Sequence, residues 1–415
     1  MINRKTPAIE LMAPAGGWES LQAALDNGTD SIYFGADQLN MRARATMNFT
    51  LADLPEIASR AKERNVKTYL TLNSVIFDHD LSLVRRTVDA ALGAGISAII
   101  AADHAVIMAC KDAGMPLHIS TQANISNVEA VRFYAMFADV MVLARELSLR
   151  QVKAICKVVN EEPIIGPNGT PVRIEIFGHG ALCMAVSGKC HISLHTHNAS
   201  ANRGACVQNC RRAYKVIDLE EGHELVVDNE FIMSPKDLCT IDFLDRIADT
   251  GASVLKLEGR GRSADYVATV TACYREAIDA LNDGSYGAEK VGGWMKRLET
   301  VYNRGFWGGY YLGQQLGEWT DSPGSKATQR KVHLGTAEHY FPKAGVAQFK
   351  MEAHQLRMGD SILVMGPVTG VVAGTVTELR VEGNSATEAK RGDTVTIPFD
   401  RPVRPSDKLY LTVPA

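Results

Sequence analysis

Val66-Lys-Thr-Tyr-Leu-Thr-Leu-Asn73, Leu81-Ser-Leu-Val-Arg-Arg-Thr-Val-Asp-Ala-Ala-Leu-Gly93 and Ala98-Ile-Ile-Ala-Ala-Asp103 decide the fold. The first and third are short apolar runs of strand length. Between them Leu81, Val84, Val88 and Leu92 recur at helical spacing. A strand, an amphipathic helix and another apolar strand make a parallel unit covered by helices. The same rhythm extends outward in both directions. It predicts strands at Glu10–Pro14, Ser31–Gly35, Val66–Asn73, Ala98–Asp103, Leu117–Ala123, Val140–Ala144, Arg173–Gly178 and Ser253–Glu258, with further helical patterns at Leu51–Asn65 and Ser263–Leu281. Eight such units suggest a closed (β/α)₈ barrel over residues 1–281. An open doubly wound sheet is the alternative, but Ala13-Pro-Ala-Gly-Gly17 after the first strand is a tight turn and not a Gly-x-Gly-x-x-Gly fingerprint.

One connection breaks the rhythm. Residues 179–252 separate strands seven and eight, far more than an ordinary loop and helix need. Tyr214-Lys-Val-Ile-Asp-Leu219 and Glu224-Leu-Val-Val-Asp228 read as a hairpin inside it. Loops after the strands build the active site in barrels of this class, so the insertion begins on the functional face. Residues 282–325 read as an aromatic- and glycine-rich linker packed on the barrel. In 326–415, six short alternating strands (His333–Phe341, Gly345–Met351, Asp360–Met365, Val371–Val381, Asp393–Pro398 and Lys408–Val413) suggest a small C-terminal β-barrel.

Composition limits the function classes. The 415 residues are 46% hydrophobic and 22% charged, values of a folded globular chain. The net charge of −3 excludes nucleic-acid binding by bulk charge. Residues 326–415 carry 12 Lys+Arg against 9 Asp+Glu, a weak basic bias on an acidic remainder. No apolar run is long enough for a membrane span, and Met1-Ile-Asn-Arg-Lys-Thr6 lacks a signal-peptide core, so a cytoplasmic location is expected. Eight cysteines are too few for a disulfide scaffold.

The placement of those cysteines carries more than their number. Cys183, Cys190, Cys206, Cys210 and Cys239 all fall in the insertion, whereas Cys110, Cys156 and Cys273 sit in helical patterns as core packing. Thiolates are soft donors that hold zinc or iron–sulfur centres. Only Cys206-x₃-Cys210 has knuckle spacing, and the irregular remainder suits a [4Fe-4S] cluster better than zinc. His179, His195, His197 and Arg203 lie in the same segment and are the candidate catalytic groups. Arg145, Arg260 and Arg262 stand near strand ends, where guanidinium forks bind carboxylate or phosphate. No nucleophile elbow, His-Glu-x-x-His helix or phosphate loop is present, and no nucleophile–base pair is legible.

The segment Glu175-Ile-Phe-Gly-His-Gly-Ala-Leu-Cys183, Gly188-Lys-Cys190-His-Ile-Ser193, Asn202-Arg-Gly-Ala-Cys206, Ser234-Pro-Lys-Asp-Leu-Cys239 and Leu255-Lys-Leu-Glu-Gly-Arg260 resembles the collagenase-like peptidases of unassigned catalytic type, peptidase family U thirty-two. The wording of Gly180-Ala-Leu-Cys-Met-Ala-Val-Ser-Gly-Lys-Cys190 is similar to the tRNA hydroxylation protein P branch. That resemblance implies a [4Fe-4S] protein that hydroxylates the tRNA wobble uridine to 5-hydroxyuridine. It further implies prephenate as co-substrate, with ribosomal RNA and ubiquinone precursors as substrates of relatives; the residues leave a partner subunit open. It places the cluster on Cys183, Cys190 and Cys206, with Cys239 favoured as fourth ligand over Cys210, and Arg260 with Arg262 on the prephenate carboxylates. The alternative it carries is a collagenase-like peptidase.

Overall fold

The computed structural model describes residues 9–44, 48–223, 231–313 and 317–415. Strands β1 (Glu10–Ala15), β2 (Ser31–Phe34), β3 (Lys67–Thr71), β4 (Ala98–Ala101), β5 (Leu117–Ile119), β6 (Val140–Val142) and β7 (Arg173–Gly180) pair in parallel, each with the next. Strand β8 (Asp237–Cys239) lies outside the ring. Strand β9 (Val254–Leu257) is parallel to both β7 and β1 and closes it. The eight-stranded parallel barrel is therefore present, with strands that stop one to four residues short of several predicted ends. Those ends peel off to form the mouth. Helices α1 (Trp18–Asp26), α2 (Leu54–Lys62), α3 (Leu81–Gly93), α4 (His104–Ala113), α5 (Val128–Ala135) and α6 (Leu149–Glu161) occupy the connections between strands. Local chemistry sets their starts. In α6, Ser148 accepts from the Gln151 amide, and the Gln151 side chain accepts from the Ser148 amide at 2.9 Å, a reciprocal cap.

The outer core lies between strands and helices, where Leu11, Ile32, Leu70 and Ile99 are fully buried. Met12, Tyr33, Tyr69, Ile100, Val140 and Val254 fill the inside of the ring. Cys110, Cys156 and Cys273 are buried in the outer core, as their helical setting predicts.

The insertion consists of irregular chain, the short helix α7 (Ile192–His197), β8 and α8 (Leu244–Ala248). β7 overruns the ring because it continues past a register shift between Phe177 and His179, after which His179 and Gly180 pair antiparallel with Cys239 and Leu238. A two-residue strand β10 (Phe306–Trp307) extends β8 in parallel. Residues 214–219 of the expected hairpin form no strand, and its second arm lies outside the described residues. Helix α9 (Ala264–Asp283) follows β9, and α10 (Ala288–Leu298) packs against α9, with Trp294 and Leu298 buried.

The expected small C-terminal β-barrel is not formed. In chain order the strands are β11 (Gln329–Phe341), β12 (Val346–Met351), β13 (Leu356–Arg357), β14 (Ser361–Gly366), β15 (Gly370–Thr375), β16 (Arg380–Val381), β17 (Asn384–Ser385), β18 (Glu388–Ala389), β19 (Thr394–Pro398) and β20 (Lys408–Pro414). They make an open antiparallel sheet in the order β15-β14-β20-β11-β12-β19-β16-β17, with β13 and β18 paired apart. The physical reason lies at the β15 edge. It docks on α1 and α9 and has no pairing with β17. At the contact a Cβ on Gly370 would stand 3.1 Å from the Gln22 side chain. Arg401 bridges to Asp26 at 2.7 Å, and Arg60 donates to the Pro367 carbonyl at 2.9 Å. The edge is protected by a covering helix, which serves the same end as closure. Among the described residues no helix is long and apolar enough to cross a membrane.

Candidate active site

The carboxyl ends of the strands open into a cavity of about 230 Å³. Its floor is built by β2 and β9. Lys256 points into the ring, with its ammonium 2.9 Å from Glu175 and 4.4 Å from the centre of the Tyr33 ring. Both charges are buried, so the pair is sustained by its geometry. Burial pushes the Glu175 carboxyl up against the opposing pull of Lys256.

Glu258, one residue beyond β9, accepts from the Tyr33 hydroxyl at 2.7 Å and from the Arg42 guanidinium at 3.2 Å. Burial alone would raise its carboxyl. Arg42, the Tyr33 hydroxyl, Arg145 and Arg260 together bring it below the usual glutamate value, so it stands ionised. Burial and the adjacent carboxylate raise the Tyr33 phenol, which stays a donor.

Arg260 is 4% exposed and donates to Thr71 at 2.7 Å and to Asn40 at 3.0 Å. Burial pulls its guanidinium down to about 10. It clamps the loops after β2 and β9 to the end of β3, and this requires a bare backbone beside it. A Cβ on Gly35 would sit 2.4 Å from the Arg260 guanidinium and 2.8 Å from the Asn40 side chain. Gly35→Ala is therefore expected to displace the clamp and destabilise the fold by about 1–3 kcal/mol, read as a lower denaturation midpoint. An unchanged midpoint would show that the clamp is slack.

The cavity wall carries seven cations: Arg42, Arg145, Arg211, Lys256, Arg260, Arg262 and Arg304. Among the described residues Glu258 is the lining carboxylate, with Glu175 behind Lys256 and Asp237 behind Arg304 at 3.1 Å. Three carboxylates face seven cations.

Of the sequence-selected substrate ligands, all three reach the cavity: Arg145, Arg260 and Arg262. Cys183, Cys190, Cys206 and Cys210 also line it. Cys239 does not. Its thiol lies in the core beside the Tyr274 hydroxyl at 3.8 Å and the Met295 sulfur at 3.9 Å, and burial pushes it up to about 12. The geometry thus groups Cys210 with the other three. His179 is 2% exposed, packed by Tyr274, Tyr266 and Phe306, and burial pushes its imidazole down to about 3. His195 and His197 are exposed on α7, away from the lining. Arg203 ties the insertion to the barrel flank through Asp80 at 2.7 Å and lies over the Phe77 ring at 4.1 Å.

Sequence reasoning did not single out Lys256, Glu175, Tyr33, Glu258 or Arg304. A signal existed for two of them. Glu175 and Lys256 interrupt otherwise apolar strand runs, and a charge inside a barrel demands a partner.

The expected metal centre is not supported. Among the described residues, one group of three His, Cys, Asp or Glu has its ligand atoms within 4.8 Å of one another: Asp218, Glu221 and His223. All three are exposed, and no cysteine belongs to the group. The [4Fe-4S] expectation, its zinc alternative and the prephenate chemistry attached to them are corrected on that ground.

A closed parallel barrel with a charged cavity at its strand ends defines a small-molecule or peptide site at the usual face of this architecture. The sequence pattern of peptidase family U32 matches residues 16–321, and the chain belongs to that family. A protein named collagenase from Porphyromonas gingivalis is 54% identical over 401 residues, covering 97% of both chains. A Methanocaldococcus jannaschii protein named an uncharacterized protease is 35% identical over 97% of this chain and 98% of its own. A tRNA hydroxylation protein P from Helicobacter pylori is 36% identical over 73% of this chain and 72% of its own. The expected hydroxylation branch is therefore corrected: the collagenase likeness is much higher and spans 97% of the chain. With it go the hydroxylase activity and the tRNA and prephenate partners.

Proposed function

We propose that this protein is a collagenase-type peptidase that hydrolyses peptide bonds in the cavity at the barrel mouth. The observation that carries this reading is the 54% identity to a collagenase along essentially the full length of both proteins. The cavity's chemistry is compatible with it. Hydrolysis adds water to the amide carbon, breaks the C–N bond and delivers a proton to the departing amine. A carboxylate suits the first and last of these steps as general base and then acid. Glu258 is the lining carboxylate, oriented by Tyr33 and Arg42. The surrounding cations supply a field that favours negative charge on the carbonyl oxygen in the transition state. A thiol–imidazole pair is the other common arrangement. Four thiols line the cavity, but among the described residues no histidine does, which favours water activated by Glu258. All eight cysteines are free, and a reducing cytoplasm would keep them so.

Incubation of the purified full chain with gelatin, followed by electrophoresis, is expected to show fragments. Gelatin that stays intact at enzyme amounts comparable to substrate would sink the reading.

A further inference from the structure

We infer that the cavity recognises a carboxylate group on its peptide substrate through Arg145 and Arg262; the inference rests on the peptidase reading for the identity of the ligand. Charge in the cavity is unbalanced toward the cations. Glu258 is engaged by Arg42, Glu175 by Lys256 and Asp237 by Arg304. Arg260 is held by Thr71 and Asn40, and Arg211 by the Ser234 hydroxyl and the Pro235 and Leu182 carbonyls. Among the described residues two guanidinium groups, Arg145 and Arg262, are left without an ion-pair partner at contact distance, although Arg145 adds to the positive field on Glu258.

Arg145, just beyond β6, has one weak bond, to the Ala181 carbonyl at 3.3 Å, and lies over the Phe177 ring at 4.1 Å. Its Nε is buried and has no partner. Arg262, beyond β9, lies over the Tyr302 ring at 3.6 Å. Among the described residues neither has a carboxylate within 4.0 Å. A stacked guanidinium keeps its in-plane N–H groups free and its orientation fixed, which prepares it for an oxygen pair. An unpaired buried donor is costly, and a ligand oxygen would satisfy it. An anion entering this cavity meets preorganised donors and loses little entropy in forming the contacts.

For a peptide, the anion is its C-terminal carboxylate or an acidic side chain. The chemistry is shared, and the test separates the sources. Three probes suffice: N-acetyl-Gly-Pro-Ala as the free acid, its C-terminal amide, and N-acetyl-Gly-Pro-Asp amide. Binding to the full chain is measured by calorimetry, and cleavage of longer peptides with the same ends is followed separately. At least one carboxylate-bearing probe is expected to bind about tenfold or more tighter than the neutral amide. Free acid alone favoured identifies the chain end, and Asp amide favoured as well identifies any carboxylate. Arg145→Gln and Arg262→Gln are each expected to erase the preference, and Arg145→Lys to retain part of it.

Equal binding of the three probes overturns the inference, as does a preference that survives both Gln variants. Inorganic phosphate displacing the acid probe at lower concentration than acetate does would also overturn it, by showing a phosphate site. Acid-selective binding without any peptide cleavage supports the carboxylate site while removing the peptidase reading. Cleavage indifferent to the carboxylate does the reverse.

Discussion

Glu258→Gln is expected to lower kcat/KM for peptide hydrolysis roughly 10²–10⁴-fold, and, because it removes the carboxylate that faces Arg42, to lower the thermal midpoint as well, so rates are compared at a temperature where both proteins are folded. The substitution keeps the shape of the side chain and removes its capacity to take a proton. Tyr33 and Arg42 would still find one carbonyl oxygen, though the new amide also turns two donors toward a region already rich in them. The pH dependence provides an independent sign. Glu258 acts as the carboxylate, and its neighbours hold its carboxyl below the usual glutamate range. The active form therefore persists as pH falls through about 4.3, the ordinary value, and is lost only below it. An acid limb at or above that value would assign the limb to a different group. A variant retaining more than a tenth of the parent rate would remove Glu258 from the chemistry.

Glu10→Gln is expected to cost about 3 kcal/mol of stability with little change in activity at low temperature. Glu10 opens β1 at the amino end of the barrel, opposite the cavity, where residues serve stability. Its carboxylate accepts from Arg173 at 2.8 Å, Tyr69 at 2.7 Å and Lys67 at 2.9 Å. Burial would raise its carboxyl, but Arg173, with Tyr69 and Lys67, brings it down to about 2. Its folded value lies below the unfolded one, so its contribution is complete above about pH 4.3 and fades as pH falls toward about 2. Urea titrations at pH 7 and pH 3 should show a large difference between parent and variant at the first and a smaller one at the second. A constant difference would mean the loss is packing and not charge.

Much of the barrel was legible because its strands are continuous apolar runs and its helices have one apolar face. Leu81, Val84, Val88 and Leu92 announced α3. The ends of strands were less legible, because the first residues beyond Thr71, Ala101, Ile119 and Val142 (Leu72, Ala102, Ser120 and Leu143) are still apolar or small while the backbone already turns into the mouth. The C-terminal alternation gave strands but not closure, since closure depends on what meets the edge at β15, here α1. Cysteine spacing grouped four residues that do share one cavity wall. Cys239, favoured as a ligand by the family resemblance, instead lies in the core near Leu238 and Ile241. The wording near Cys183 resembles the hydroxylation branch, but the identity over most of the chain is far higher to a collagenase. Glu258 and Lys256 are hard to single out from sequence because Leu255-Lys-Leu-Glu-Gly-Arg260 sets them beside an arginine with equal claim to the site.

The most direct test of the proposed peptidase activity is hydrolysis in oxygen-18 water. The full chain is incubated with a Gly-Pro-containing peptide, and the products are weighed by mass spectrometry. Two fragments are predicted, with one heavy oxygen atom in the newly formed carboxyl group, and a fragment yield roughly 10²–10⁴-fold lower in the same time when Glu258→Gln replaces the parent. A peptide that keeps its original mass with the parent protein, under conditions where the fold is intact, would contradict it.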